Sequence, residues 1–257
     1  MVRGIEKFKE YFTGFEGNYI IIGGTACDIL EESAGQQPRA TKDIDVILIV
    51  EALTSEFVKR FWEFVKDGQY TTRHHGNGKN EYFRFLKPHV EVFPLQIEIF
   101  ARKPDILEIT GDIRLTPIPI NEDLSSLSAI LMNDDYYHFT LEHSTIENGV
   151  HLANIESLIS LKAKAFLDLS ERKSKGEPID EKNIRKHKND IFRLATMLNE
   201  AEVFSLPHDM KDDLNTFCNQ VTESLPDKAF FKSIGLPAVQ PEEAFVRLCH
   251  VFQIEIE

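Results

Sequence analysis

Apolar and polar positions change period several times along the chain, and each change marks an element. From about Ile5 to Phe15 the apolar residues recur at helical spacing, whereas Tyr19 to Ile22 is continuously apolar and ends at Gly23-Gly24, which predicts a buried strand closed by a turn. TACDILEE then reads as a helix broken by Gly35 through Pro38, and DIDVILIV, Asp43 to Val50, has the β-branched density of a central strand. A helix from about Ser55 to Lys66 follows, its Phe57, Phe61, Trp62 and Phe64 expected to cover the sheet. HHGNGKNEYFRF predicts a hairpin tip leading into a strand. VEVFPLQIEIF predicts another strand, ending near Phe100, with Pro94 implying an edge position or a bulge. Alternation in YHFTLEH and GVHLAN, between Tyr136 and Ala153, predicts two more strands. Helical spacing then takes over at about 155–172, 181–199, 208–223 and 241–252. The expected class is α+β: a mixed β-sheet core over residues 1–154 and a C-terminal helical domain over 155–257.

Composition narrows the functions more than the fold. The charged share of 28% and hydrophobic share of 42% are ordinary for a globular protein, and no apolar run approaches the roughly 20 residues that cross a bilayer. The start MVRGIEKFKEYF reads as an amphipathic helix and not as a signal peptide, so no membrane partner and a cytoplasmic location are expected. A formal charge of -13 opposes nonspecific or stable DNA binding, although Lys and Arg concentrate between Lys162 and Arg193 and could face a polyphosphate. Cys27, Cys218 and Cys249 have no paired metal-ligand spacing and are expected as reduced core thiols. His74-His75 lack a second ligand pair at zinc spacing and read as solvated loop residues, and His187 between two lysines reads as a basic surface turn. Nucleophile-elbow, Walker A and dinucleotide-fingerprint strings do not occur.

The chemistry concentrates in carboxylates. In an extended strand, side chains two apart share a face, so Asp43 and Asp45 project together. Two carboxylates about 5 Å apart repel by roughly 3 kcal/mol at an effective dielectric near 20, a cost that a shared divalent cation reverses. Magnesium suits such hard oxygen ligands, and a two-metal phosphoryl-transfer site draws a third carboxylate from another strand. Glu98, between the two isoleucines of QIEIF, is the expected third ligand; Glu91 in VEV is its competitor. Alone, the Asp-x-Asp string reads equally well as a strand cap. Gly23-Gly24-Thr25 at a strand end, opening a helix, allows close approach of a phosphate to backbone N–H groups, or is simply a tight turn. Arg39, Thr41 and Lys42 lie directly before the diacid.

Taken together, the order of hydrophobic strand, Gly-Gly-Thr, helix, Arg-x-Thr-x-Asp-x-Asp and later Ile-Glu-Ile resembles the nucleotidyltransferase superfamily, in particular the bacterial AbiEii/AbiGii-type toxin family. LKAKA at Leu161 to Ala165 and KNDIFRL at Lys188 to Leu194 are similar to two helical motifs of that family, so the resemblance covers roughly residues 19–198. It implies that Asp43, Asp45 and Glu98 hold two magnesium ions. It further implies that Gly23, Gly24, Thr25, Arg39, Thr41, Lys188 and Asp190 serve a nucleoside triphosphate, and that Lys162 assists catalysis. The implied acceptor is an RNA end or a protein side chain, and the implied partner an antitoxin protein. Lys162 also stands out by position: it is centred on the apolar stripe of Ile155, Leu158, Leu161, Ala165 and Leu169, where a lysine needs either an anionic ligand or a structural ion pair. The sequence departs from the family in carrying Arg193 where a second aspartate is usual and in a longer span from Gly24 to Asp43. Two rivals follow: a non-catalytic binding module of the same fold, and an antibiotic-modifying adenylyltransferase.

Overall fold

The computed structural model describes residues 2–71, 82–100, 130 and 133–256; His74 and His75 lie outside them. The described residues divide into two compact units, the first within Met1–Ile29, Arg39–Asn121 and Leu141–Ala153, the second within Leu30–Pro38, Glu122–Thr140 and Asn154–Glu257. The second unit thus takes, besides the chain from Asn154 onward, two stretches that the sequence assigned to the sheet core.

The first unit is built on strands β1 (Tyr19–Ile22), β2 (Asp43–Leu48), β3 (Tyr82–Leu86), β4 (Gln96–Phe100), β5 (Ser144–Glu147) and β6 (Val150–Ala153), ordered β3-β4-β2-β1-β6-β5. β2 runs antiparallel to β1 and parallel to β4, and β1 pairs with β6 in parallel, so the sheet is mixed and the class is α+β. All four residues of β1 are buried, which explains its uninterrupted apolar run. Helices α1 (Ile5–Phe12) and α3 (Ser55–Asp67) supply an aromatic layer. Phe8 meets Tyr19 edge-on at 5.2 Å, Phe12 lies 5.4 Å from Phe64, and Phe61 reaches Phe85 of β3 at 5.4 Å. Burying each such ring contributes about 2–3 kcal/mol as an upper figure. Thr54 caps α3 by accepting the Phe57 N–H at 3.1 Å. Between β1 and β2 the chain forms helix α2 (Gly23–Ser33).

Two expected strands are corrected. β4 is an interior strand that begins at Gln96, after Pro94, so VEV lies outside it; a residue without an N–H cannot serve an interior ladder, and the Pro94 carbonyl accepts instead from the Tyr70 hydroxyl at 2.7 Å. YHFTLEH lies in helix α4 (Asp134–Glu142). Tyr136, Tyr137, Phe139 and Thr140 are buried along one helical face, and Asn133 Oδ1 accepts from the N–H groups of Asp135 and Tyr136 at its start. β5 and β6 form a hairpin over Asn148-Gly149, whose φ values of +51° and +78° suit a mirror-image turn.

The second unit carries helices α5 (Ile155–Ser174), α6 (Glu181–Ala195), α7 (His208–Val221), α8 (Lys228–Ser233) and α9 (Pro241–Phe252). Asp180 caps α6, and a Gln240–Glu243 capping box opens α9. His187 falls within α6 and not in a turn. Among the described residues no helix is long and apolar enough to cross a membrane.

Candidate functional site

Strand register places the carboxylates. Asp45 stands opposite Glu98 of β4, Glu98 stands opposite Arg84 of β3, and Ile22 of β1 closes the same row on the other side. One row along, Asp43 is paired with Gln96. Register partners share a sheet face about 5 Å apart, so Asp43, Asp45, Gln96, Glu98 and Arg84 emerge together. Glu91, the competitor for third acid, lies in the turn before β4.

Glu98 is buried, at 6% exposure, between opposing influences. Burial and the nearby charges of Asp45 and Asp43 push its carboxyl up to about 8, against the lowering effect of Arg84. Arg84 Nε lies 2.8 Å from Glu98 Oε1, a buried ion pair. Gln96 Nε2 donates to the same oxygen at 2.5 Å. Sequence reading missed both partners; the alternation in FRFL that turns Arg84 to one face was the available signal.

Gly23 and Gly24 are required for packing at this site. At Gly23, whose φ is +67°, an added Cβ would come within 2.0 Å of Asp45 Oδ2. At Gly24 it would meet Thr41 Oγ1 at 2.7 Å and Arg39 Nη2 at 3.1 Å. The glycine pair therefore brings the start of α2 against the Arg-x-Thr-x-Asp-x-Asp segment. Thr25 is fully buried and its hydroxyl donates to the carbonyl of Asp43, which pins the start of β2. Asp28, also buried and also missed, accepts from the backbone N–H groups of Arg39 at 3.3 Å and Thr41 at 2.5 Å. Ala40 between them sits at φ +64°, the left-handed kink that aims the N–H groups on either side of it at one carboxylate. Thr41 Oγ1 is buried without a hydrogen-bond partner among the described residues.

The residues expected from the helical motifs have partners inside the second unit. Lys162 Nζ donates to Asp190 Oδ2 at 2.7 Å, both side chains being almost wholly buried, and Lys188 Nζ donates to the Ser224 carbonyl at 2.6 Å. Arg193, in the place of the family's aspartate, is paired with the buried Glu31 at 2.8 Å and donates to the Gln37 carbonyl. Lys164 is matched by Asp213, Arg172 by Glu177 and Lys173 by Glu181. The basic run from Lys162 to Arg193 is thus largely neutralised by acids of its own unit. The cysteines are free thiols, and Cys218 and Cys249, distant in sequence, touch through their side chains.

A hard divalent cation fits the acid row by donor chemistry, and it would offset the part of the rise at Glu98 that, after burial, comes from Asp45 and Asp43. Among the described residues no group of three His, Cys, Asp or Glu side chains surrounds a single point. Magnesium does not require one, since it keeps several waters and is held by one or two carboxylates together with substrate phosphates. An anion fits the start of α2, where Gly24 leaves room and the Thr41 hydroxyl lacks a partner.

No protein-family model matches the chain, and no curated protein matches it. Among solved structures, the chain is similar to an antigenic nucleotidyltransferase-like protein from Paracoccidioides brasiliensis, with 16% identity, 94% of this chain and 97% of that chain covered, and a TM-score of 0.41.

Proposed function

We propose that the chain is a magnesium-dependent nucleotidyltransferase that moves a nucleoside monophosphate from a triphosphate to a hydroxyl of an RNA end or a protein side chain. The observation that carries this reading is the row Asp45–Glu98–Arg84, with Asp43 one step along the same face and the Gly23 turn against Asp45. When bound, magnesium supplies charge neutralisation on the phosphates and acidifies the attacking hydroxyl. Asp43, Asp45 and Glu98 would offer it carboxylate oxygens, one or two at a time, with substrate phosphates and water as its other ligands. The start of α2 and the Arg39 guanidinium above Gly24 receive the triphosphate, and Thr41 Oγ1 gains a phosphate oxygen as partner. The acceptor oxygen attacks the α-phosphorus, the bond to the bridging oxygen of the β-phosphate breaks, and pyrophosphate leaves. The acidified hydroxyl proton passes to water. Asp28 holds the Arg39–Thr41 backbone in place throughout. Lys162 keeps a structural role, its ammonium being engaged by Asp190.

By resemblance, such an enzyme acts as a toxin restrained by an antitoxin protein, and the same chemistry on an aminoglycoside would make it an antibiotic-modifying enzyme. Incubation with α-labelled nucleoside triphosphates and total RNA, total protein or aminoglycosides tests the class and separates the acceptors. Transfer by the native chain and none by Asp45→Ala or Asp43→Ala is expected. Nucleotide binding without transfer to any acceptor would favour a non-catalytic binding module.

A further inference from the structure

Glu98 is held in an unusual way for a residue meant to share a cation. Among the described residues its two side-chain contacts come from different strands, Arg84 on β3 and Gln96 on β4 itself, and both fall on the same oxygen, Oε1. A glutamate has three rotatable side-chain bonds; fixing one oxygen from two directions selects one rotamer and one carboxylate plane. The second oxygen, Oε2, carries neither contact and is the atom left to face a cation. Arg84 lies in the acid row by register, so its position is a property of the sheet and not of a mobile loop.

Resting on the proposed cation site, we propose that Arg84 and Gln96 are positioning residues that clamp Glu98 Oε1 and thereby present Oε2 as a one-oxygen ligand to a divalent cation. The alternative is that Arg84 only offsets the charge of three acids. The two roles predict opposite signs. If Arg84 is merely a counter-charge, removing it makes the row more negative and strengthens cation binding. If it positions Glu98, removing it weakens binding despite the added negative charge. Gln96 is neutral, so its removal alters position without altering charge.

The test is titration of the full chain with Mn2+ alone, followed by the loss of the free-ion electron paramagnetic resonance signal, which needs no turnover. Arg84→Met and Gln96→Leu should each weaken Mn2+ binding about tenfold, the scale found for groups that orient metal ligands. Arg84→Lys, which keeps the charge but loses the planar guanidinium, should fall between Arg84→Met and the native chain. Arg84→Met binding Mn2+ as tightly as the native chain or more tightly, with Asp45→Ala losing it, would overturn the clamp and leave the proposed enzyme intact. No Mn2+ binding by the native chain would overturn the cation site, and the clamp with it. Should Arg84→Met fail to fold by urea denaturation, Gln96→Leu and Arg84→Lys still decide the outcome.

Discussion

The two units treat buried charge in opposite ways. In the helical unit two buried cations each meet a buried carboxylate: Lys162 with Asp190 at 2.7 Å, and Arg193 with Glu31 at 2.8 Å. In the sheet unit Asp43, Asp45 and Glu98 emerge side by side, Arg84 is paired with Glu98, and burial together with the two aspartates still raises Glu98 to about 8. A matched pair needs nothing further and acts as scaffold, since removing either partner costs more than the pair contributes. Strand pairing that gathers three carboxylates on one face concentrates like charge, which a bound cation would offset, and this difference separates the site from the scaffold.

The largest effect that tests the contrast lies in the scaffold. Asp190→Ala removes the carboxylate facing a buried ammonium and should cost about 3–5 kcal/mol in urea denaturation. Lys162→Met with Asp190→Leu, which removes both charges at similar volume, should return close to native stability. A double variant as unstable as the single one would show that the pair does more than neutralise itself, and the scaffold reading of Lys162 would fail.

The reverse sign is expected in the acid row. The folded protein holds the Glu98 carboxyl at about 8, well above the ordinary carboxyl range, so the fold favours its neutral form. That contribution is fully present below the ordinary carboxyl range and is lost as pH rises through 8. Without divalent cations, native stability should therefore fall by up to about 4 kcal/mol between pH 5 and 9, and the slope should shrink in Glu98→Gln, which is permanently neutral. Magnesium at pH 9 should restore stability to the native chain more than to the variant. Equal slopes in the two proteins, read from urea midpoints across pH, would mean that Glu98 does not carry the imbalance.

Much of this arrangement is legible in the residues, for identifiable reasons. The continuous apolar runs of β1 and β2 have few other readings, and a period of two places Asp43 and Asp45 on one face without any tertiary information. Glu98 was reachable because two isoleucines anchor its strand. Arg84, Gln96 and Asp28 were not, because what defines them is register between strands and a contact made across a loop, neither of which has a local signature. The YHFTLEH segment misled because Tyr137, Phe139 and Leu141 alternate as in a strand; Asn133 as a helix cap was the overlooked signal. Arg193 looked like a loss of function in sequence alone, and becomes intelligible only when Glu31, far earlier in the chain, is found beside it.

The smallest effect is also the most selective. Gly23 and Gly35 both have left-handed backbones, at φ +67° and +73°, but a Cβ at Gly35 meets nothing within 4 Å whereas one at Gly23 meets Asp45 Oδ2 at 2.0 Å. Ala at either position adds strain of roughly 1 kcal/mol from the left-handed conformation. Gly35→Ala should show that cost and leave Mn2+ binding unchanged. Gly23→Ala should show it together with a loss of Mn2+ binding, because the Asp45 carboxylate must move to admit the methyl group. If both variants bind Mn2+ like the native chain, the closeness of the glycine turn to Asp45 is ordinary packing, and the turn no longer distinguishes the acid row from the rest of the sheet.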